Sequence, residues 1–311
     1  MIVKNLEISI YQKKLRALLR RLPRTHSKRD KIEEALARSM AGYNGEKAVD
    51  FYLRELPEQE YFILHDLRLA DKDQLFQLDL LILSAKFFLI IEVKNISGSV
   101  YFDSLFNQFI RKTKGSEKAF PNPLLQIRRQ QEHLGNWLEK LGQTKIPIET
   151  LVVISNPYTV IKSDIRHHSA INKVINCENL TDKIKLIQTK FTKDILTIKE
   201  LRRISRQAVK QDTPFSPDIL EKFHISATEL LTGVHCPSCQ SLPMVKKASN
   251  WICPECKHIS KEAHLEALSD YCLLRGSTIT NNEIKHFLKL SSASTATKML
   301  SSLDLFFTGN T

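Results

Sequence analysis

Long apolar runs are missing from this sequence of 311 residues. The longest, Phe87 to Ile91, is far shorter than the roughly 20 apolar residues that a membrane-spanning helix requires. The first residues, MIVKNLEISIYQKK, also lack the basic start, the apolar stretch and the small-residue cleavage site of a secretory signal. We therefore expect a cytoplasmic protein without a transmembrane segment.

Tryptophan and tyrosine are few, and the charge is biased to one sign. Two tryptophans and seven tyrosines offer no evident stacking platform for single-stranded nucleic acid. By contrast, 46 Lys and Arg against 34 Asp and Glu give a net charge of +12, which favours an anionic partner. Residues 1–40 hold eleven basic and four acidic residues, a net +7. This segment is either a solvated basic helix or a contact for nucleic acid or lipid.

Two neighbouring strands carry charged residues where burial is expected. The stretch FQLDLLILSAKFFLIIEVKN, residues 76–95, contains two apolar runs, with Asp79 in the first and with Glu92 and Lys94 in the second. Charges in buried strands cost free energy unless they are paired, protonated or bound to a metal. If residues 85–86 form a two-residue turn, the numbers of opposed residues sum to 171, and Asp79 lies opposite Glu92.

An opposed pair of carboxylates predicts a cation or a proton between them, because the two charges repel at that distance. Mg²⁺, which is held by one or two carboxylates together with water and phosphate oxygens, suits such a pair. Lys94 shares the face of Glu92, where its ammonium could neutralise developing charge or position a water. Two residues apart on a strand, Lys94 and Glu92 are expected to make only a loose contact. Alternatively, Glu-Val-Lys is simply a strand that emerges into solvent.

A third carboxylate precedes the apolar face of a predicted helix. In GEKAVDFYLREL, Glu46 lies at the edge of that face and is expected to point toward the sheet. The other interpretation of Glu46 is a glutamate in a first helical turn, where the helix dipole favours it. The apolar face itself consists of Val49, Tyr52, Leu53 and Leu56.

The order of these charged residues resembles the pattern of the PD-(D/E)XK nuclease superfamily: an acidic residue in a helix, an Asp in a strand, and Glu-x-Lys in the next strand. The segments GEKAVDFYL, FQLDLLIL, FFLIIEVKNISGSVYFD and NPLLQIRRQQEHL are similar to its nuclease-related domain branch, NERD, over about residues 40 to 160. The resemblance implies a restriction-endonuclease-like core and a metal-dependent nuclease that acts on DNA.

The resemblance also assigns roles to single residues. It implies that Glu46, Asp79 and Glu92 bind Mg²⁺ or Mn²⁺ and that Lys94 is the catalytic lysine. Gln126 matches a glutamine that many relatives place beside the active site, although a first-turn helix residue facing solvent fits its position equally. Phosphodiester hydrolysis requires an activated water and a counter-charge for the transition state, both of which a carboxylate-held metal supplies. No histidine is needed, and we assign His133 no role.

Four cysteines form a separate pattern, CPSCQSLPMVKKASNWICPEC. Two Cys-x2-Cys pairs satisfy tetrahedral Zn²⁺, and a closed site of four thiolates is structural because no position is left open for water. The spacing resembles a zinc ribbon. The ligands are Cys236, Cys239, Cys253 and Cys256.

The order of the predicted elements indicates an α/β fold, in which helices flank a mixed β-sheet, with a small zinc-ribbon module and a short α-helical tail. The tail resembles a helix-turn-helix, and Thr280 and Ser292 or Ser294 are its candidate helix caps. The expected domains are a basic helical segment (1–40), the nuclease-like domain (41–205), a linker (206–234), the four-cysteine module (235–260) and the tail (261–311).

Three functions compete at this point. The first is a Mg²⁺-dependent nuclease acting on DNA, in repair or processing. The second is a non-catalytic scaffold that binds nucleic acid or protein on a nuclease-like fold. The third, a peripheral membrane protein, rests on the basic N-terminal segment alone. Asp79, Glu92 and Lys94 favour the enzyme, because a binding module has little reason to carry an unpaired carboxylate pair.

Overall fold

The apolar runs of the sequence form strands and the amphipathic stretches form helices in a computed structural model, which describes residues 1–143, 145–164 and 167–303. In these ranges the strands are β1 (Ile2–Lys4), β2 (Phe62–Asp71), β3 (Gln74–Leu83), β4 (Phe88–Lys94), β5 (Ser99–Phe102), β6 (Phe109–Thr113), β7 (Ser116–Phe120), β8 (Ile148–Ile154), β9 (Val160–Ser163), β10 (Val174–Asn176), β11 (Val245–Lys247), β12 (Asn250–Ile252) and β13 (Ile259–Ser260). The helices are α1 (Ile10–Arg21), α2 (Arg29–Leu53), α3 (Pro123–Lys140), α4 (His168–Lys173), α5 (Leu180–Lys190), α6 (Ile198–Lys210), α7 (Ile219–Phe223), α8 (Ala263–Arg275), α9 (Asn281–Leu288) and α10 (Ala293–Ser301). No helix in the described ranges is long and apolar enough to cross a membrane.

These elements belong to two units. The first comprises residues 1–8 and 38–215, and the second comprises residues 9–37 and the chain from residue 216 onward. Helix α2 begins in the second unit and ends in the first. The domain boundaries expected from the sequence stay predictions.

A mixed sheet forms the centre of the first unit, and its strands follow the order β1-β2-β3-β4-β8-β10 among the described residues. Strands β2, β3 and β4 pair antiparallel, whereas β1, β8 and β10 pair parallel with their neighbours. In the β3–β4 hairpin, Leu80 pairs with Ile91 and Leu83 with Phe88. The register predicted from the two-residue turn is therefore confirmed.

Helices cover both faces of this sheet. On one face α3 and α6 share a buried core with β2, β3 and β4. On the other face α2 and α5 pack against the intervening residues of the same strands, including Leu89 and Ile91 of β4. The predicted α/β fold with a mixed sheet flanked by helices is confirmed.

A second sheet, with strand order β7-β6-β5-β9 in the described part of the chain, contains an element that the sequence did not predict. The sequence predicts a loop over GSEKAFPNP, but its segment SEKAF forms β7, in which Ser116 pairs with Thr113 of β6. The turn between them is Lys114-Gly115, and Gly115 has a φ of 79°. Such a conformation suits glycine, so a glycine at the second turn position was the available signal for a hairpin.

The stretch AGYNG predicts a break in helix α2, and the structure corrects this expectation. The helix runs without interruption from Arg29 to Leu53. Two glycines lower the helix propensity of this stretch by roughly 1 kcal/mol each. Burial of Val49 and Leu53 against the sheet stabilises the helix beyond that propensity cost.

The second unit contains two buried cores. The cysteine module and the tail helices share one of them, in which Trp251 packs with Tyr271 and Phe287. In the other, Ile219 and Leu230 pack with residues of α1. These two residues lie in the segment 206–234, which was expected to be a linker. The sequence did not reveal their burial, because the apolar residues of this segment are too widely spaced to give a periodic pattern.

The tail consists of α8, α9 and α10, as the sequence predicted, within the described residues. The side chain of Thr280 accepts a hydrogen bond from the backbone N–H of Glu283, and Ser292 caps α10 in the same way. Of the expected tail, residues 304–311 lie outside the described residues.

Part of the basic N-terminal segment is used inside the second unit. Arg21 is fully buried, and its Nε lies 2.8 Å from Oδ2 of Asp270, which is also fully buried. Arg20 reaches Oδ1 of the same carboxylate at 2.6 Å. The Arg21 guanidinium also donates to the carbonyl oxygen of Gly233 at 2.7 Å and lies 4.9 Å from the ring centre of Phe287. These arginines are structural.

Replacing Asp270 is expected to destabilise the second unit strongly. Asp270→Ala leaves the buried Arg21 without its counter-charge, and loss of one partner of a buried pair costs about 3–5 kcal/mol. Chemical denaturation followed by circular dichroism measures the difference. Glu266→Ala is the matched control, because Glu266 is half exposed and lies 3.4 Å from Arg20. Equal effects of the two substitutions would contradict a structural role for the Arg21–Asp270 pair.

Candidate active site

Strand β4 carries the buried carboxylate at the centre of the candidate site. Glu92 is 2% exposed, and both of its oxygens accept hydrogen bonds. The Nζ of Lys94 lies 2.6 Å from Oε1, and Nε2 of Gln130 donates to Oε2 at 2.8 Å. The expectation of a loose Glu92–Lys94 contact is wrong. Lys94 is at the end of the strand, where its long side chain folds back to the carboxylate.

Asp79 lies at the next step of the β3–β4 register after the Leu80–Ile91 pair. Its Oδ2 accepts a hydrogen bond of 2.9 Å from the backbone N–H of Val93. Burial raises the pKa of Asp79 well above its usual value, and the negative charges of Glu92 and Glu46 add to this effect. The carboxyl group of Asp79 therefore favours a bound proton or a nearby cation.

Glu46 approaches the same group from α2. Burial and the charges of Asp66 and Glu92 raise the pKa of Glu46 from 4.5 to about 8. The charge of Glu92 therefore acts on both Glu46 and Asp79. Of the two interpretations of Glu46, its electrostatic contact with the strand carboxylates favours the one in which it faces the sheet.

Gly45 allows this close approach of α2. A Cβ atom built on Gly45 would lie 2.7 Å from Cβ of Asn95 and 2.8 Å from Oγ of Ser155. Real Cβ atoms essentially never come that close to other atoms, so a larger residue would push the helix away from the ends of β4 and β8. The glycine thus sets the position of the neighbouring Glu46.

Asp66 is a fourth carboxylate, which the sequence reasoning missed. His65 pairs with Leu80 and Leu67 with Leu78, so Asp66 lies across from Asp79. It has a φ of 45°, a left-handed conformation that is uncommon for residues other than glycine.

The two strands change phase at this point. On the face that α3 covers, the buried side chains alternate every second residue, except for one three-residue step in each strand. The step falls around Asp66 in β2 and around Asp79 in β3. The buried positions are Phe62, Leu64, Leu67 and Leu69 in β2, and Phe76, Leu78, Leu81 and Leu83 in β3. This matched irregularity is visible in the sequence and was the signal that could have identified Asp66.

Two glutamines of α3 complete the site. Asn122 caps this helix by accepting from the backbone N–H of Leu124 at 2.9 Å. Four residues apart on one face, Gln126 and Gln130 both reach the site: Oε1 of Gln126 accepts from Lys94 at 3.2 Å. Gln130, which is 5% exposed, also donates to the backbone carbonyl of Gln77 at 2.9 Å. Helical spacing predicts that Gln130 shares the face of Gln126, but the sequence alone indicates no role for it.

His133, one turn further along α3, lies outside the site. Its Nδ1 is 3.0 Å from Oδ2 of the buried Asp71, and its ring stacks on Phe76 with the centres 5.3 Å apart. Asn136 and Lys140 also donate to Asp71. The structure therefore gives His133 a structural contact, in agreement with the absence of an assigned role.

The metal-binding potential of the two residue clusters differs. Within the described residues, only the four cysteines form a group of three or more His, Cys, Asp or Glu side chains whose ligand atoms all lie within 4.8 Å of one another. The structure thus brings Glu46, Asp79 and Glu92 into one electrostatic group but not to this mutual distance. Carboxylate oxygens suit a hard divalent cation, and the raised pKa values of Glu46 and Asp79 show that negative charge is crowded there. Lys94 instead neutralises Glu92 directly.

The cysteine cluster has the geometry of a zinc site. The Sγ atoms of Cys236 and Cys256 are 3.6 Å apart, as are those of Cys239 and Cys253. Four thiolates at about 2.3 Å from one Zn²⁺ would be roughly 3.8 Å apart. The three short antiparallel strands β11, β12 and β13 accompany the cluster. This module is therefore zinc-ribbon-like, as the sequence predicted.

Comparison with known proteins bears on the first unit. Residues 41–155 match the family model described as "Nuclease-related domain", NERD. The chain contains a nuclease-related domain. The match covers a little over a third of the chain and includes every residue of the candidate site from Glu46 to Gln130. It leaves out the cysteine module and the tail. No curated protein and no solved structure matched the chain.

The protonation of Glu46 predicts a pH dependence of stability in the NERD domain. The folded protein holds a proton on Glu46 up to a pH of about 8, whereas the unfolded chain releases it near 4.5. The free energy of unfolding is therefore expected to fall as the pH rises between these values. Glu46→Gln should reduce that slope in thermal melts with a chelator, whereas Glu33→Gln, an exposed change in the same helix, should not. Parallel profiles for the parent and Glu46→Gln would contradict the raised pKa.

The cysteine module predicts one Zn²⁺ per chain, measurable by elemental analysis of protein purified under reducing conditions. Because Cys236 and Cys253 share a core with the tail helices, removal of zinc should expose residues 233–303 to proteolysis and leave the NERD domain intact. Cys239→Ser should lose the metal, whereas Cys272→Ser, an exposed cysteine outside the cluster, should retain it. Protein with no zinc, or a tail that resists proteolysis without zinc, would show that the module does not depend on the metal.

Proposed function

We propose that the first unit is a metal-dependent nuclease that hydrolyses phosphodiester bonds in DNA, in repair or processing. The observation that carries the proposal is the group of carboxylates with raised pKa values around Glu92, next to Lys94, inside a nuclease-related domain. Carboxyl groups with perturbed protonation cluster at active sites, because perturbed protonation is part of the chemistry there.

Glu46, Asp79 and Glu92 are the proposed ligands of Mg²⁺ or Mn²⁺. When bound, the metal supplies an activated water and positive charge for the transition state. Glu92 is held in place by Gln130, which also bonds to the backbone of β3, so one ligand is fixed before the cation arrives. Asp79 is fixed by the backbone of β4.

Lys94 is the proposed catalytic lysine. Its Nζ lies between Oε1 of Glu92 and Oε1 of Gln126, and its side chain is 28% exposed. An ammonium group in that position can donate to a phosphate oxygen or to the attacking water while Gln126 limits its movement. The negative charge that develops on the phosphate would then be met by a fixed cation, which is the electrostatic contribution expected of such a residue.

One observation favours a non-catalytic scaffold as the second candidate. The Lys94 ammonium already neutralises Glu92, and the three carboxylates are not within mutual ligand distance. In a scaffold, this ion pair would be the final state of the site. In an enzyme, Glu92 would hold the cation together with Glu46 and Asp79, and the Lys94 ammonium would be available to the substrate.

Metal binding and cleavage distinguish the two candidates. Asp79→Asn should keep or slightly raise the melting temperature without metal, because it relieves repulsion and retains an oxygen for Val93. Glu92→Gln should lower it, because it loses the bond to Lys94, and loss of a hydrogen bond to a charged group costs about 1.5–3 kcal/mol. Both variants should lose the stabilisation by Mg²⁺ that the parent shows.

Cleavage is measured on DNA substrates with and without Mg²⁺ or Mn²⁺. The parent should cleave, and Asp79→Asn, Glu92→Gln and Lys94→Ala should each be inactive. Glu132→Gln, an exposed change on α3, serves as the control that should cleave like the parent. A parent protein with neither a metal-dependent shift nor cleavage would refute the enzyme and support the scaffold.

A further inference from the structure

Helix α6 presents a stripe of basic residues to solvent. Five exposed cations occur at positions i, i+3, i+4, i+7 and i+11, which place them on one side of an α-helix. The opposite side is buried, with Leu201, Ile204 and Ala208 in the core under the sheet. The residues of the stripe are Lys199, Arg202, Arg203, Arg206 and Lys210.

No carboxylate of the described residues forms an ion pair with this α6 stripe. The acidic residue of the helix, Glu200, instead serves its N-terminus: it accepts from the backbone and side chain of Thr197 in a capping box. Burial of a phosphate-sized anion against the stripe would therefore displace no existing ion pair.

The stripe is also held rigidly. Before the helix, the backbone N–H groups of Ile195 and Leu196 both donate to the carbonyl of Ala85 in the β3–β4 turn. After it, Oε1 of Gln211 accepts from the indole N–H of Trp137 at 2.8 Å. A fixed helix presents its charges to a ligand without a large ordering cost.

The basic N-terminal segment differs from α6 in this respect. Arg20 and Arg21 are bound to Asp270, Lys4 lies 2.6 Å from Asp212, and Lys14 donates to the carbonyl of Pro217. These four basic residues of the N-terminal segment are thus engaged within the protein, whereas the five cations of α6 are exposed.

We propose that the α6 stripe binds the phosphate backbone of double-stranded DNA, outside the site that cleaves it. The stripe extends over about 16 Å, a length along which one strand of a duplex presents about five phosphates. Three of its members are arginines, whose planar guanidinium groups bind phosphate with two hydrogen bonds. The stripe contacts the backbone without reading bases.

The identity of the ligand rests on the proposed nuclease function. An anionic membrane is the other polyanion that could meet the stripe. Amphipathic helices that bind membranes insert their apolar side, and the apolar side of α6 is already buried in the protein core. A duplex needs only the exposed charges.

The test compares two triple variants of the full chain that change the net charge equally. Arg202→Gln, Arg203→Gln and Arg206→Gln remove the centre of the stripe. Lys183→Gln, Lys185→Gln and Lys190→Gln on α5, at the other face of the sheet, form the control. Fluorescence anisotropy with a short DNA duplex, in a chelator, measures affinity between about 50 and 200 mM salt.

The arginine variant should bind DNA at least tenfold more weakly than the control. The plot of log affinity against log salt concentration should be less steep by about 2 to 3, roughly one for each lost phosphate contact. Equal affinities and slopes for the two variants would overturn the proposal. It would also be overturned if the arginine variant lost binding to phosphatidylserine vesicles but still bound DNA. Melting temperatures of both variants verify folding. Binding is measured without metal and therefore does not depend on cleavage. If the arginine variant loses duplex affinity but the parent cleaves no DNA, only the proposed nuclease is refuted. If the parent cleaves DNA but the arginine variant binds the duplex like the control, only the role of the stripe is refuted.

Discussion

The buried charge of Glu92 is the constraint on which the rest of the first unit depends. A carboxylate with 2% exposure is stable only if its surroundings donate to it, and here they do so from two elements: Lys94 from the same strand and Gln130 from α3. The same charge raises the protonation affinity of Asp79 and Glu46. The protonation of Asp79 and Glu46 therefore depends on burial, on the charge of Glu92 and on any cation that lies near them.

Sequence patterns predicted the parts of this system that depend on regular geometry. The β3–β4 register followed from a two-residue turn, and Pro123 predicts the start of α3. What the patterns missed depends on tertiary contact. Gly45 reads as a helix breaker until the strand ends that α2 approaches are known, and Gln130 gains a role only from the position of Glu92. Asp66 was missed because alternation was followed within each strand separately.

Composition proved to be a poor guide to where the positive charge acts. The N-terminal segment holds eleven basic residues in positions 1–40, yet Arg21 is as deeply buried as any leucine and serves the core of the second unit. Helix α6 has fewer basic residues, but their spacing directs all of them away from its buried side. Spacing relative to a buried face, rather than the number of charges, thus decides whether a basic segment is available to a partner.

The matched phase change in β2 and β3 has a consequence for how this domain can vary. Deleting one residue at the three-residue step of one strand would restore regular alternation in that strand. The other strand would keep its step, so the apolar side chains beyond it would no longer face the same side of the sheet in both strands. Only a compensating deletion in the other strand would repair the core, and it would remove Asp66 or Asp79 from the place where the strands change face. Length changes in this hairpin are therefore tolerated in pairs, and a pair that preserves the core abolishes the irregularity that presents the two carboxylates.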